Sequence, residues 1–395
     1  MIKVVHIGDL HLGGLYPEKS IASMEFLLAQ LEDSTSPAYH PDLIVCTGDT
    51  TEKSLHVKDP NLSPLTDLIQ APFPKVFLQG TPSHEPYGFL ENLWKTSGQS
   101  FILMNKPEII QVPGTQISIA ALPAISWATL NKWAMDRFGQ TAETPEENVR
   151  SILASFANEW NNPQTGPRLL IGHWTVTGCM TPTGQTLYAS DMAIGLADVA
   201  LAQADAVLLG HIHKVQHWNV GDDNAPISYC GSSHNANWGE LDAKSFSVFE
   251  FPETGGIPEL TRILYPSKPM LEIKILYTGE QVDGDWEFNL VGDIELPEFI
   301  ELARGADVKL KYERPKELAP QVDDIYQRIK FHELGIELTV VEGTLLPTDR
   351  NRIPDIGEVT TTRAQYLAVC TAKGKVPRPG SLLKADQIDE SGVAA

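Results

Sequence analysis

VVHIGDLHLGG, residues 4–14, is a short β-branched run that breaks at Gly8 into Asp9-Leu10-His11 and two further glycines. Valine and isoleucine in such a run favour a strand. A carboxylate and an imidazole two residues apart suit the interior of a sheet poorly, but at its lip they present two metal ligands. Partners for that pair recur downstream. LIVCTGDT (43–50) ends in Gly48-Asp49. KVFLQG (75–80) stops at Gly80 and opens the loop Thr81-Pro82-Ser83-His84-Glu85. RLLIGHW (168–174) delivers Gly172-His173, and AVLLGHIH (206–213) delivers Gly210-His211-Ile212-His213. Five apolar strands thus stop at a glycine and hand over Asp or His. In an open α/β sheet the ligand crevice lies outside the carboxyl ends of the strands, so residues ~200 positions apart are expected to converge.

Amphipathic spacing predicts helices over Ile21–Leu31, Leu62–Ile69, Phe89–Thr96, Trp127–Met135, Pro145–Trp160 and Asp191–Gln203. Strands alternating with helices give an α/β class. From Pro266 the texture changes: MLEIKILY (270–277), VKLKYERP (308–315), a helical Leu318–His332 and ELTVVEG (337–343) read as a smaller α+β domain. Beyond Leu345 come Pro- and Gly-rich linkers around one helix candidate, Thr361–Ala372, and a polar end expected to be disordered. The expected organisation is 1–265, 266–345 and 346–395.

The chain carries 30 basic and 51 acidic residues, a net charge of −21, which argues against a free-standing nucleic-acid binder. A nucleic-acid enzyme remains compatible where metals or a partner supply the positive field. Cys46, Cys179, Cys230 and Cys370 are widely spaced without a CxxC pair, so they read as reduced thiols of an intracellular, cytoplasmic protein. No apolar run reaches the ~18 residues of a membrane span, and no signal peptide is expected.

Two divalent ions suit phosphate-ester hydrolysis when one carboxylate bridges them and imidazoles complete the shells. Asp49 is the natural bridge. Asp9, His11 and His213 fit one ion; His173, His211 and an oxygen from the Thr81–Glu85 loop fit the other. Mixed N/O ligation favours Mn²⁺, Fe or Zn²⁺. His84, beside the cluster, suits transition-state stabilisation or protonation of a leaving oxygen. A lone histidine after a strand is ordinarily structural, and only the conjunction in chain order lifts these. His6, His40, His56 and His332 lack that context; His217 and His234 lie near the site loops.

These blocks, in this order, resemble the calcineurin-like metallophosphoesterase superfamily, whose pattern is DxH, GD, GNH[DE], GH and GHxH. YCGSSHNANWGE (229–240) with Lys244-Ser245-Phe246 is similar to a segment of the SbcD family of DNA repair nucleases. The resemblance covers about the first 250 residues. It implies a two-sheet sandwich flanked by helices, with a small C-terminal domain that caps the active site and meets DNA. It implies metal-ligand positions for Asp9, His11, Asp49, His173, His211 and His213, and a catalytic position for His84. The implied activity is that of a Mn²⁺-dependent 3′→5′ double-strand exonuclease and single-strand endonuclease. The implied assembly is a homodimer working on DNA with an SbcC-type SMC-like ATPase. Where the family has Gly-Asn-His, this chain has Gly80-Thr81-Pro82-Ser83-His84, which makes Ser83 a candidate ligand of the second ion. Two competing readings are a small-substrate phosphodiesterase or phosphatase and a non-catalytic scaffold. The first lacks the Arg that follows the second Asp in phosphatases, since the text here is GDTTEKS (48–54).

Overall fold

The computed structural model describes residues 1–86, 88–124, 127–160, 166–181, 193–220, 225–282, 285–291 and 294–346, together with 363, 364, 366, 367, 370, 376, 382 and 385. By contact clustering the chain divides into two units. One comprises Met1–Ile273, Ile294–Lys309 and Phe331–Val340; the other comprises Lys274–Asp293, Leu310–Lys330 and Val341–Ala395.

The first unit opens with β1 (Ile2–Ile7), α1 (Pro17–Glu32), β2 (Leu43–Cys46), α2 (Leu62–Gln70), β3 (Lys75–Leu78), α3 (Phe89–Thr96) and β4 (Ile102–Met104). Then come β5 (Glu108–Gln111), β6 (Ser118–Leu122), α4 (Trp127–Phe138), α5 (Pro145–Trp160), β7 (Arg168–His173), β8 (Thr175–Val176), β9 (Ala193–Ile194) and α6 (Leu196–Val199). It continues through β10 (Ala206–Gly210), β11 (Gln216–Val220), β12 (Ala225–Tyr229), β13 (Ser245–Phe251) and β14 (Glu259–Leu264). Two six-stranded sheets result, in the orders β14-β13-β1-β2-β3-β4 and β11-β12-β10-β7-β6-β5. Strands β1 to β4 run parallel, as do β6, β7, β10 and β12.

Strand alternation sorts the apolar residues into three layers of core. Val4, Val45, Val76 and Leu78 pack with Ile119, Leu169, Ile171 and Leu208 between the sheets. The odd–even partners Val5, Ile7, Ile44, Cys46 and Phe77 face Met24, Leu27 and Leu31 of α1 and Leu65 and Leu68 of α2. On the other sheet Leu170, Val207 and Leu209 meet Ile152, Leu153 and Phe156 of α5. Both faces of each sheet are covered, which is why the strands read as continuous apolar runs. The fold is a mixed α/β sandwich of two sheets flanked by helices.

Pro17 opens α1 four residues before the expected start, since its fixed φ and missing N–H suit a first turn. Pro145 occupies the first turn of α5 where the helix was expected to begin, and Thr144 and Glu147 bond each other's backbone N–H at 3.3 Å in a capping box. The helix expected over Asp191–Gln203 is broken. Ala193–Ile194 pairs with β8, Gly195 is extended, and only Leu196–Val199 and a 3₁₀ turn, Ala200–Ala202, are helical.

A further four-stranded sheet has the order β16-β15-β17-β18, from β15 (Met270–Val282), β16 (Asp285–Val291), β17 (Asp307–Arg314) and β18 (Leu338–Leu345). Its helices are α7 (Leu296–Ala303) and α8 (Asp324–Glu333). The helix expected to start at Leu318 instead forms a 3₁₀ turn, Lys316–Leu318, and then restarts after Pro320. The helix expected over 361–372 lies mostly outside the described residues. Among the described residues no helix is long and apolar enough to cross a membrane, and the four cysteines are buried and unpaired.

Candidate metal centre

Three adjacent strands of one sheet (β1, β2, β3) and two of the other (β7, β10) end at one place. Gly48 and Gly80 make the approach possible. Gly48 has φ +94°, and a Cβ there would lie 2.4 Å from His173 Nδ1; a Cβ on Gly80 would lie 2.1 Å from the Asp49 backbone nitrogen. The loops after β1 and β2 are zipped by Asp9 N–H to Gly48 O (3.0 Å), His11 N–H to Asp49 O (3.0 Å) and Leu12 N–H to Thr50 O (3.1 Å). This lattice holds Asp9, His11 and Asp49 at φ of 48°, 44° and 48°, a left-handed conformation costly for non-glycine residues, and His211 sits at φ 86°.

Ligand atoms of Asp9, His11 and His213 lie within 4.8 Å of one another, as do those of Asp9, Asp49 and His173. His11 Nε2 is 2.9 Å from His213 Nε2 and 3.9 Å from Asp49 Oδ2, and His173 Nε2 is 3.2 Å from the same Asp49 oxygen. The His211 backbone N–H reaches both Asp9 oxygens at 2.9 and 3.0 Å, and its ring centroid is 5.3 Å from that of His173.

The proton positions decide what this arrangement suits. His173 Nδ1 is 2.7 Å from the Thr47 carbonyl oxygen, which only accepts, so Nδ1 carries a proton and Nε2 is the atom left to face the Asp49 carboxylate. His11 Nδ1 faces Glu52 Oε2 at 2.5 Å, which leaves His11 Nε2 as the lone pair toward His213. Two acceptor atoms at such distances need a proton or a cation between them. Burial opposes charge on His173, yet the Asp49 carboxylate outweighs it and lifts the imidazole to about 9. Burial likewise raises Asp49, but His173 and His11 hold it well below the carboxylate range. The donor set fits divalent cations.

Residues 2–215 match the model of the calcineurin-like phosphoesterases, more than half of the 395 residues. The chain belongs to the calcineurin-like phosphoesterase family. This calcineurin-like phosphoesterase is 23% identical over 296 residues to the SbcD subunit of nuclease SbcCD from Staphylococcus epidermidis, spanning 72% of this chain and 73% of that protein. It is 21% identical, with the same coverage, to the SbcD subunit of nuclease SbcCD from Staphylococcus saprophyticus. The DNA double-strand break repair protein Mre11 of Methanosarcina acetivorans is 23% identical over 133 residues, 32% of this chain and 21% of that protein. The family implies a metal-dependent hydrolase.

Among the residues of this phosphoesterase named from sequence, His84 lies beside the cluster. Its ring meets that of His11 edge-on at 5.0 Å, and its Nδ1 is 3.1 Å from Glu52 Oε1 without hydrogen-bond alignment. Glu52 therefore touches both histidines, and sequence reading missed it. Its signal was a carboxylate three residues after Asp49. Glu85 was missed too. Fully buried, it accepts from Thr50 N–H (3.0 Å) and Gly80 N–H (2.5 Å), tying the loop after β2 to the loop after β3. Burial chiefly, with the Asp49 charge adding, lifts its carboxyl to about 7.

Ser83, one candidate for the oxygen ligand of the second ion, is exposed. The Thr81 carbonyl accepts from the N–H of His84 (3.0 Å) and of Glu85 (2.8 Å), so Thr81–His84 is a tight turn with Pro82 second and Ser83 third, turned out to solvent. The same turn puts the Thr81 hydroxyl 3.1 Å from His173 Nε2 and 3.3 Å from Asp49 Oδ2.

The segment 229–240 and Lys244 stand behind His213. Glu240 and Lys244 form a buried pair at 2.9 Å; Glu240 Oε1 is 3.9 Å from His213 Nδ1, and Lys244 Nζ donates to the His213 carbonyl at 3.4 Å. His234 is buried nearby and kept neutral, chiefly by desolvation and then by the charges of His11 and Lys244, which take it down to about 3. His217 sits on the edge strand β11, with Nδ1 3.2 Å from Arg262.

Proposed function

We propose that this phosphoesterase is a DNA nuclease. In this reading Asp9, His11 and His213 would hold one divalent ion, His173 and His211 would hold a second, and Asp49 would serve both. The observation that carries the metal reading is the convergence of Asp9, His11 and His213, and of Asp9, Asp49 and His173, whose ligand atoms lie within 4.8 Å of one another in each group. Likeness to the SbcD subunit of nuclease SbcCD over most of the chain favours DNA as substrate. Mn²⁺ suits the mixed carboxylate and imidazole set. The activities we assign are 3′→5′ degradation of duplex ends and endonucleolytic cleavage of single strands. We further assign a homodimer acting with an SbcC-type ATPase in repair or recombination. Residues 1–265 form the nuclease domain, 266–345 contact DNA, and 346–395 carry a linker and a partner-docking helix.

Bound at these residues, divalent ions supply Lewis acidity toward the scissile phosphate and its attacking water. The chain supplies the rest. Glu52 orients His11 through its Nδ1 atom and lies against Nδ1 of His84, and His84 Nε2 is the atom we assign to the substrate side. His84 protonates the departing 3′ or 5′ oxygen as the P–O bond breaks. The buried Asp49, held by the Thr81 N–H at 2.6 Å, keeps its orientation through turnover.

End-labelled linear duplex DNA, single-stranded circles, p-nitrophenyl phosphate and a bis-ester analogue, each with Mn²⁺, test this. DNA and the bis-ester should be cleaved, and His84→Ala should lose about 10²–10⁴ in rate, the usual contribution of a general acid. Hydrolysis of the monoester alone would replace the nuclease reading by a phosphatase. Turnover of none, with less than one ion bound per chain, would leave a scaffold.

A further inference from the structure

We infer that Thr81 is the oxygen ligand of the second ion in this chain, and that its neutral hydroxyl makes this ion the weakly held, exchangeable member of the pair. The inference rests on the metal reading above.

Thr81 Oγ1, His173 Nε2 and Asp49 Oδ2 form a triangle with sides of 3.1, 3.2 and 3.3 Å. Ligands bound at 2.0–2.2 Å lie about 3.0 Å apart at right angles and about 3.4 Å apart in a tetrahedron. The triangle has the size of one face of a coordination shell. A hydroxyl oxygen, an imidazole nitrogen and a carboxylate oxygen are all ligand types for a divalent cation of mixed N/O preference. With Nδ1 committed to Thr47, His173 has only Nε2 left to meet Asp49 and Thr81. One cation can take all three atoms as ligands.

The hydroxyl is not what holds the loop. The Thr81 N–H bond to Asp49 Oδ1 (2.6 Å) and the turn to His84 fix the residue through its backbone. The side-chain oxygen is therefore not needed to fix the loop, and its contacts are to the two ligand atoms. It brings no charge and donates electron density less well than an amide or carboxylate oxygen. The group formed by Asp9, His11 and His213 has no such weak member, so the two positions should fill in sequence, that of Thr81 last.

Titration of the metal-free, full-length chain with Mn²⁺, followed by calorimetry and by the electron paramagnetic resonance of free Mn²⁺, tests this without an activity assay. The wild type should bind in two separable steps, and Thr81→Ser should do the same. Thr81→Val, which keeps the backbone bond and the side-chain volume, should leave the first step intact and weaken the second by about tenfold or more, while Thr81→Asn should tighten it by about tenfold. A Thr81→Val chain that titrates like the wild type would overturn the inference while leaving the metal reading in place. A wild-type chain that binds no Mn²⁺ would overturn both.

Discussion

Glu52 shows how much one side chain organises at this centre. One oxygen fixes the His11 tautomer and the other sits against His84, so a proposed metal ligand and a proposed general acid share one anchor. Glu52→Gln is expected to weaken Mn²⁺ binding about 10- to 100-fold, the usual cost of removing a partner behind a ligand, and to lower kcat at saturating metal. Unchanged binding and kcat would remove Glu52 from the site. His6, on the strand that leads into Asp9, does different work. It is buried in the β1 core with Nε2 3.0 Å from the Thr47 hydroxyl, and burial takes its pKa from 6.5 down to about 3. Between those values only the unfolded chain binds the proton. Stability is therefore complete above pH 6.5 and is lost as pH falls toward 3, by up to about 1.4 kcal/mol per pH unit. Urea unfolding across that range should show His6→Gln losing less stability than the wild type as pH drops; parallel pH profiles would exclude His6 as a source of acid lability.

Among the elements, Glu85 is the fastening between the loops after β2 and β3. Glu85→Ala strands the buried Thr50 and Gly80 N–H groups, so a loss of about 2–6 kcal/mol is expected in denaturant unfolding, about one to three per unsatisfied group. A loss below about 0.5 kcal/mol would mean the loops hold without it. Elements are also where the sequence was most and least legible. Apolar runs halted by Gly8, Gly48, Gly80, Gly172 and Gly210 announce strand ends, because backbone must pass where a Cβ would collide. The layers follow from odd–even alternation alone. The break in Asp191–Gln203 was hidden because Ala, Leu and Val fit a helical period whatever Gly195 does. Within the Thr81–Glu85 loop, which was expected to offer an oxygen, adjacency to His84 drew attention to Ser83, whereas a proline-led turn leaves Ser83 exposed and brings the Thr81 hydroxyl to His173. Glu52 and Glu85 carry no strand-end signature, and only tertiary closure of the loops gives them partners.

At the scale of the whole molecule, a net charge of −21 sets the terms for any encounter with a polyanion. The isolated chain is expected to bind duplex DNA weakly and to bind less as salt rises, with a strong gain when an SbcC-type ATPase is added. Tight, salt-resistant binding by this chain alone in fluorescence anisotropy would contradict that. The proposed activity depends on cations at the meeting point of β1, β2, β3, β7 and β10. Anomalous diffraction at the manganese edge from crystals of the full chain soaked in Mn²⁺ tests this most directly. Two peaks are expected: a strong one among Asp9, His11 and His213, and a weaker one among Asp49, His173 and Thr81. No peak at these residues under saturating Mn²⁺ would contradict the metal centre and the nuclease built on it.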